Sequence, residues 1–169
     1  AMEAGIVGEH SIVNCENGLW RVGRVPIHDD HKYKLISMSE VIKFSSNIGT
    51  AKQALKLGAE ATIEGLRDFG FGEAVGLKIP SETNGRLRNP SVIKPIELAT
   101  TSYGQGMTAS TLQLASAYAV LGNGGMRMRP YLVSEIRDHA GHLQFQQGAR
   151  QLGQVVSTES AAAAVRMMA

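Results

Sequence analysis

The sequence predicts a mainly α-helical fold with one minor β-hairpin, and three observations support this prediction. Helix-capping residues precede several runs whose apolar residues recur at helical spacing. Glycines follow the ends of these runs, and Pro95 stands where another helix can begin. The segment RPYLVSEIRDHAGHLQFQQ is instead typical of two strands, Tyr131 to Gln147, around the Ala140-Gly141 turn, with Val133, Ile136, Leu143 and Phe145 apolar.

The first half of the chain contains three predicted helices. MEAG is typical of a last helical turn ended by Gly5, and residues 6–36 are irregular with short β-leaning pieces. The capping box SMSE, Ser37 to Glu40, predicts a helix through about Phe44. Ser45 or Ser46 then caps a second helix that ends at Gly58, and ATIEGLRDFGFG predicts a third one.

The second half of the chain begins with a predicted loop over 71–94, which contains the turn pair Asn84-Gly85. Pro95 begins a short helix that SYGQG breaks. Thr108 or Ser110 caps the strongest helix, and GNGG ends it. We expect its buried face to carry Leu112, Ala115, Ala119 and Val120. A last, alanine-rich helix is capped by Ser157.

The composition limits the classes of function. A length of 169 residues with 43% hydrophobic and 19% charged residues fits one globular domain. The net charge of +2, without a basic cluster, gives no indication of nucleic-acid binding. Cys15 is the single cysteine, so neither an internal disulfide nor a cysteine-based metal site is predicted. No apolar stretch is long enough to span a bilayer.

Several short motifs have the residues of a metal-binding or catalytic motif, but their local sequence context argues against such a role. HDDH, His28 to His31, could suggest metal ligands, but a polar surface turn explains it better. SVIK, Ser91 to Lys94, has the spacing of a lysine-activated serine nucleophile. Pro95 follows directly, however, and disfavours the helical turn that would align the two side chains. The glycines of GFG and GNGG are explained as helix terminators.

Two further motifs are weak when taken alone. Ser45-Ser46-Asn47 can be a helix cap, and YGQG, Tyr103 to Gly106, can be a glycine-flanked turn with a polar tip. Separately, they support no more than an α-rich globular domain.

In their order, however, three segments resemble the transpeptidase domain of class B penicillin-binding proteins, and more closely its cell-division type. The segments are IHDDHKYKLISMSEVIKFSSNIGTAKQALKLG, LRDFGFGEAVGLKIPSETNGRL and SYGQGMTASTLQLASAYAVLGNGGMRMRPYLV. Each short motif is unspecific, whereas their order and spacing along nearly the whole chain are specific. Departures from the usual family residues are Val75, Lys78, Ser81 and Ala109.

The resemblance implies a site with three motifs, of which one lies in this chain. Ser45 and Asn47 match the family's Ser-x-Asn motif. The Ser-x-x-Lys motif of the family lies before the segment that matches MEAGIV, and its Lys-Thr-Gly motif lies beyond the last helix. No Lys-Thr-Gly or Lys-Ser-Gly occurs in the sequence. Residues 1–169 are therefore expected to be a partial transpeptidase domain, between the first and third motifs, that is inactive alone.

The chemistry of the complete domain is implied in the same way. A lysine-activated serine attacks the D-Ala-D-Ala amide of a peptidoglycan stem peptide, and β-lactams acylate the same serine. Ser45 would relay a proton between that lysine and the leaving nitrogen. Asn47 would donate to the substrate carbonyl and accept from the lysine. The implied partners are stem peptides, β-lactams and cell-division proteins, with neither cofactor nor metal, at the extracytoplasmic face of the bacterial inner membrane.

The implied fold is the mainly helical subdomain of the serine transpeptidase, or β-lactamase-like, fold. The five-stranded sheet of that fold should be largely absent, which would leave apolar helix faces uncovered. We therefore expect the chain to self-associate or to form a swapped dimer. Two alternatives stay open: a non-catalytic helical module that docks to cell-division partners, and an unrelated helical domain with coincidental motifs.

Overall fold

The computed structural model describes residues 1–77, 79–80 and 82–168. Lys78 and Ser81, two of the departures from the family pattern, lie outside the described residues. The helices in the described part are α1 Met38–Lys43, α2 Asn47–Leu57, α3 Ala59–Asp68, α4 Pro95–Ser102, α5 Thr111–Gly122 and α6 Thr158–Met168. The strands there are β1 Ile12–Asn14, β2 Leu19–Val22, β3 Val25–His28, β4 Leu35–Ser37, β5 Met126–Arg129, β6 Glu135–Arg137, β7 Leu143–Gln146 and β8 Arg150–Gln154.

The strands form antiparallel two-stranded pairs: β1 with β4, β2 with β3, β5 with β8, and β6 with β7. The predicted hairpin is confirmed as β6–β7, which turns around Gly141. The prediction of one hairpin alone is wrong, because residues predicted as irregular form β1 to β4. Among the described residues no sheet exceeds two strands.

The helix boundaries follow the capping signals closely. Ser37 and Glu40 form the predicted capping box at α1, and Pro95 is the first residue of α4. Gly58, with a φ of 91°, ends α2. Ser157 Oγ accepts from the backbone N–H of Ser160 at 3.1 Å, as predicted for the start of α6. Local sequence therefore determines where these helices begin and end.

The turn before β1 has the hydrogen bonds of a helix end. The Gly5 N–H donates to Met2 O at 2.8 Å, and the Ile6 N–H donates to Ala1 O at 3.0 Å. Gly5 has a φ of 65°, a left-handed conformation that glycine adopts at low cost. This pair of bonds is the Schellman pattern, in agreement with the expectation for MEAG.

The main core lies where α1 and α2 meet the β1–β4 and β2–β3 pairs. Helix α4 packs against α2, and α6 packs against α1. The core therefore fixes the α1–α2 junction from several sides. Its buried members are Val7, Val13, Cys15, Ile27, Ile36, Met38, Val41, Ile48, Ala51, Ala99 and Met167.

The buried face of α5 differs from the predicted one. Ala115 and Ala119 are exposed, while Gln113, Ala117 and Val120 are buried. The apolar pattern was misleading because α5 is apolar on most sides, and a polar side chain faces the interior. The Gln113 amide compensates its burial with hydrogen bonds to the loop that precedes α4.

Apolar side chains also remain at the surface. Ile136, Leu143 and Phe145 of the β6–β7 hairpin are between 43% and 51% exposed. Among the described residues, no helix is long and apolar enough to cross a membrane.

Candidate active site

The Ser45-Ser46-Asn47 triplet lies in the junction between α1 and α2. Its three residues occupy three environments: Ser45 is exposed, Ser46 is 1% exposed, and Asn47 is half-buried. A tight turn produces this difference. The Phe44 N–H donates to Glu40 O at 2.8 Å, and the Ser45 N–H donates to Ile42 O at 3.2 Å, so α1 ends just before the triplet.

Ser45 has a left-handed backbone, with a φ of 54°. This conformation is uncommon for a residue with a side chain and costs about 1–2 kcal/mol. It persists because both neighbouring helices are held by the core, and such strained residues cluster at functional sites. Within residues 1–77, 79–80 and 82–168, no group makes a hydrogen bond with Ser45 Oγ. The hydroxyl is therefore available to a ligand.

Ser46 is the cap of α2, which resolves the choice between the two serines. Its Oγ accepts from the Gly49 N–H at 2.9 Å and donates to Asp29 Oδ2 at 2.6 Å. Cys15 Sγ lies 3.3 Å from the same oxygen. Burial raises the pKa of the Cys15 thiol, and the hydrogen bond with Ser46 opposes that shift. The role of the Ser46 hydroxyl is thus structural.

Asn47 is the first residue of α2, and its side chain is anchored on one side. Its Nδ2 donates to the carbonyl oxygen of His28 at 2.9 Å. An amide group has two N–H donors and one carbonyl acceptor. The anchor uses one donor, and no other residue in the described ranges bonds to the second donor or to Oδ1, which leaves them for other partners.

The HDDH segment begins with His28, the last residue of β3, and continues into a surface bend at Asp30 and His31. His28, Asp30 and His31 are exposed, and no group of residues in the described part could hold a metal ion. Asp29 differs: it is half-buried, and its Oδ1 accepts from the Ile48 N–H at 3.0 Å. Sequence reasoning missed this residue, since no local signal links it to a helix 17 residues later.

The structure does not bring Ser91 and Lys94 onto one helical turn. Lys94 has an extended backbone, with φ −78° and ψ 155°, and it precedes the first residue of α4. The pre-proline argument from the sequence is therefore confirmed. The glycines after α3 and α5 have positive φ angles, which agrees with their role as helix terminators.

An aromatic pair supports the turn before the triplet. The rings of Tyr33 and Phe44 stack with centroids 4.9 Å apart and planes 9° apart. Offset-stacked pairs contribute about 0.5–1.5 kcal/mol beyond burial. The segment after β3 therefore contacts the junction through Tyr33 as well as through Asp29.

Comparison with known proteins identifies relatives along the whole chain. Residues 1–169 match the penicillin binding protein transpeptidase domain family. The probable peptidoglycan D,D-transpeptidase PenA of Neisseria gonorrhoeae is 35% identical over 126 residues, which are 75% of this chain and 21% of that protein. The peptidoglycan D,D-transpeptidase FtsI of Escherichia coli K12 is 32% identical over 136 residues, 80% of this chain and 23% of FtsI.

Solved structures share the fold. The apo transpeptidase domain of Burkholderia pseudomallei penicillin-binding protein 3 superposes with a TM-score of 0.87 at 29% identity, covering 98% of this chain and 47% of that one. A peptidoglycan glycosyltransferase from Burkholderia ambifaria gives a TM-score of 0.86 at 29% identity, covering 98% and 50%. The chain thus spans 21–23% of the length of these curated relatives and about half of these solved chains. An unrelated helical domain with coincidental motifs is excluded.

Proposed function

Because the chain belongs to the penicillin-binding protein transpeptidase domain family, in its class B branch, we propose that it forms the Ser-x-Asn wall of a peptidoglycan D,D-transpeptidase active site. One observation carries the proposal. Ser45 combines a left-handed backbone with an exposed hydroxyl that no described residue hydrogen-bonds, next to an Asn47 amide whose second donor and acceptor have no partner among those residues either. Strain at an exposed polar residue is typical of a site that needs fixed geometry.

In the proposed reaction, a lysine-activated serine outside residues 1–169 attacks the D-Ala-D-Ala carbonyl of a stem peptide and expels the terminal D-alanine. Ser45 Oγ passes a proton between the lysine and the leaving nitrogen, which a hydroxyl can do because it both donates and accepts. The free N–H of Asn47 donates to a substrate carbonyl, and its Oδ1 accepts from the lysine. An amine from a second stem peptide then resolves the acyl-enzyme.

The 169 residues alone are proposed to be inactive toward β-lactams. Ser91-Val-Ile-Lys94 is the one Ser-x-x-Lys match in the sequence, and the extended backbone at Lys94 does not place these two residues on one helical turn. The amine therefore has no helical alignment from which to activate the hydroxyl.

The location follows from the substrate. A peptidoglycan transpeptidase must meet its stem peptides outside the cytoplasmic membrane, so we place this domain at the extracytoplasmic face of the inner membrane. Division proteins are its expected partners, as FtsI is among its relatives.

A fluorescent penicillin followed by intact-mass measurement tests the proposal. The 169-residue chain should give no adduct. The completed domain, meaning this chain joined to flanking segments of a family member that carry Ser-x-x-Lys and Lys-Thr-Gly, should give one adduct. A stoichiometric adduct on the 169-residue chain that maps to Ser91 would overturn the assignment.

Matched serine variants of the completed domain locate the chemistry. Ser45→Ala should slow acylation by about a hundredfold, since a positioned proton-transfer group contributes about 10²–10⁴ in rate. Ser91→Ala, the same change at an exposed serine, should leave the rate unchanged. Equal rates for the wild type and Ser45→Ala would contradict the role of Ser45.

A second candidate function, a non-catalytic module that docks to division partners, is favoured by the apolar surface of the β6–β7 hairpin. A completed domain that binds such partners but takes no penicillin would support it. The same exposed surface supports self-association of the 169-residue chain, which light scattering tests. A monodisperse monomer would argue against self-association.

A further inference from the structure

Two arginines line a cavity that shares no residue with the α1–α2 junction. This cavity of about 320 Å³ lies where the β5–β8 pair meets the loop over 71–94. Arg129 of β5 and Arg150 of β8 are direct partners in the antiparallel register. Because directly opposed residues extend from the same face of a strand pair, both side chains line the cavity from one face. The volume is at the small end of ligand pockets, about 300–1,000 Å³, and suits a small ligand or one group of a larger one.

The charges of these two arginines are not compensated in the described part of the chain. Like charges at directly opposed positions destabilise a strand pair. Within residues 1–77, 79–80 and 82–168, neither guanidinium group forms an ion pair. Arg127, two residues earlier on β5, differs, because its Nη2 donates to Glu73 Oε1 at 2.6 Å. The fold thus provides a carboxylate for Arg127, whereas Arg129 and Arg150 face each other without one.

The guanidinium group of Arg129 packs against a glycine. Gly76 has a φ of 89°, and a Cβ on it would lie 3.4 Å from Arg129 Nη2. The Gly76 N–H donates to Glu82 Oε1 at 2.8 Å, which holds this part of the loop. Glu82 forms no ion pair with Arg129. Arg129 is therefore half-buried at the cavity wall while its charge stays without a partner there.

A phosphate group fits this arrangement better than a carboxylate. A guanidinium group binds oxyanions through parallel N–H donors. A phosphate monoester carries about −1.5 to −2 charges at pH 7 and three acceptor oxygens, so one such group can neutralise both arginines and accept from both. A carboxylate has a single charge and two oxygens, and it would leave one positive charge uncompensated.

We propose that Arg129 and Arg150 form a binding site for a phosphate group, which comes either from a soluble phosphate or from the headgroup of an anionic lipid. The two sources share the chemistry that the arginines recognise. The site is independent of the proposed transpeptidase reaction, because it involves neither Ser45 nor Asn47.

NMR of the ¹⁵N-labelled chain, titrated with inorganic phosphate at constant ionic strength and neutral pH, tests the site. The side-chain Nε–H signals of Arg129 and Arg150, assigned by their loss in Arg129→Gln and Arg150→Gln, should shift saturably. Sodium acetate should bind about tenfold more weakly than phosphate. Equal affinity for acetate and phosphate would contradict the assignment to a phosphate group.

Matched arginine variants separate a site from a general effect of charge. Arg150 is exposed, so Arg150→Gln should fold, and it should weaken phosphate binding by about tenfold because charge-assisted hydrogen bonds are lost. Arg24→Gln makes the same change at an exposed arginine in the turn between β2 and β3 and should leave the affinity unchanged. Equal losses in the two variants would overturn the site.

Arg150→Glu tests the argument from like charges. It places a carboxylate opposite Arg129, so it should abolish phosphate binding and raise the melting temperature in phosphate-free buffer by about 1–3 °C. An unchanged or lower melting temperature would contradict the claim that the two arginines lack a partner.

Cosedimentation with lipid vesicles distinguishes the two sources of phosphate. Binding to phosphatidylglycerol vesicles but not to phosphatidylcholine vesicles, with release by Arg150→Gln, would assign the site to a lipid headgroup. Saturable binding of inorganic phosphate without cosedimentation would assign it to a soluble phosphate. A chain that binds neither inorganic phosphate nor phosphatidylglycerol vesicles would overturn the inference.

Discussion

Gln113→Leu should destabilise the protein strongly, although Leu has nearly the volume of Gln and the site is 1% exposed. Gln113 Nε2 donates to Glu73 O and to Asn84 O, each at 2.8 Å, and Oε1 accepts from the Ser110 N–H at 2.8 Å. The first two bonds join α5 to the loop over 71–94, and the third is part of the capping box at the start of α5. Leu would make none of them and would leave their partners unpaired.

The magnitude follows from those three bonds. Each contributes about 0.5–1.5 kcal/mol net, so their loss lowers the free energy of unfolding by about 3 kcal/mol. Urea titration followed by far-UV circular dichroism measures this quantity. The same substitution at Gln53 is the control, because Gln53 is also buried but its Oε1 has no partner among the described residues.

Gln53→Leu should change the free energy of unfolding by less than about 1 kcal/mol, or stabilise the chain, since it removes an unpaired buried acceptor. Equal losses at Gln113 and Gln53 would refute the reasoning. They would show that buried glutamine is costly to replace whatever its hydrogen bonds.

Three further predictions concern separate parts of the molecule. Cys15 should resist alkylation at neutral pH until urea unfolds the chain, since burial raises its pKa; fast labelling of folded protein would contradict this. The Ser157 hydroxyl lowers the pKa of Glu3, so the hydrogen bond between Glu3 and Ser157 stabilises the start of α6 above pH 4.5. This stabilisation is lost as the pH falls through the lowered pKa that Glu3 has in the folded chain. Glu3→Gln should therefore flatten that part of the curve of stability against pH. Gly49→Ala should lower the free energy of unfolding by about 1–3 kcal/mol, because the added Cβ would lie 2.6 Å from a Val41 methyl. An unchanged melting temperature would show that α1 and α2 move apart easily at this contact.

The helices were predictable because their signals are local. Ser37 and Glu40 stand three residues apart and cap one turn, and Pro95 fixes the first residue of α4. Such signals depend on backbone hydrogen bonds within a few residues, which tertiary packing rarely changes. The assignment of Ser45 and Asn47 to a Ser-x-Asn motif has a different basis, the order of several motifs along the chain, and their role in a site stays a prediction.

The missed features depend on contacts between distant residues. Strands β1 and β4 have three residues each, which is too short for a period-two pattern to appear. Their partners are also distant, because the two strands pair across an intervening hairpin. Gln113 bonds to residues 40 and 29 positions away, and Asp29 reaches a helix 17 to 19 positions later. A polar residue whose partners lie so far along the chain looks like a surface residue in the sequence.

The crystal structure of the completed domain acylated by a β-lactam is the most direct test of the central claim. We predict Ser45 Oγ and Asn47 Nδ2 at hydrogen-bonding distance, about 2.7–3.2 Å, from the bound ligand or from the Ser-x-x-Lys lysine. An acylated serine whose pocket is closed by other residues, with Ser45 and Asn47 facing solvent away from the ligand, would contradict the account.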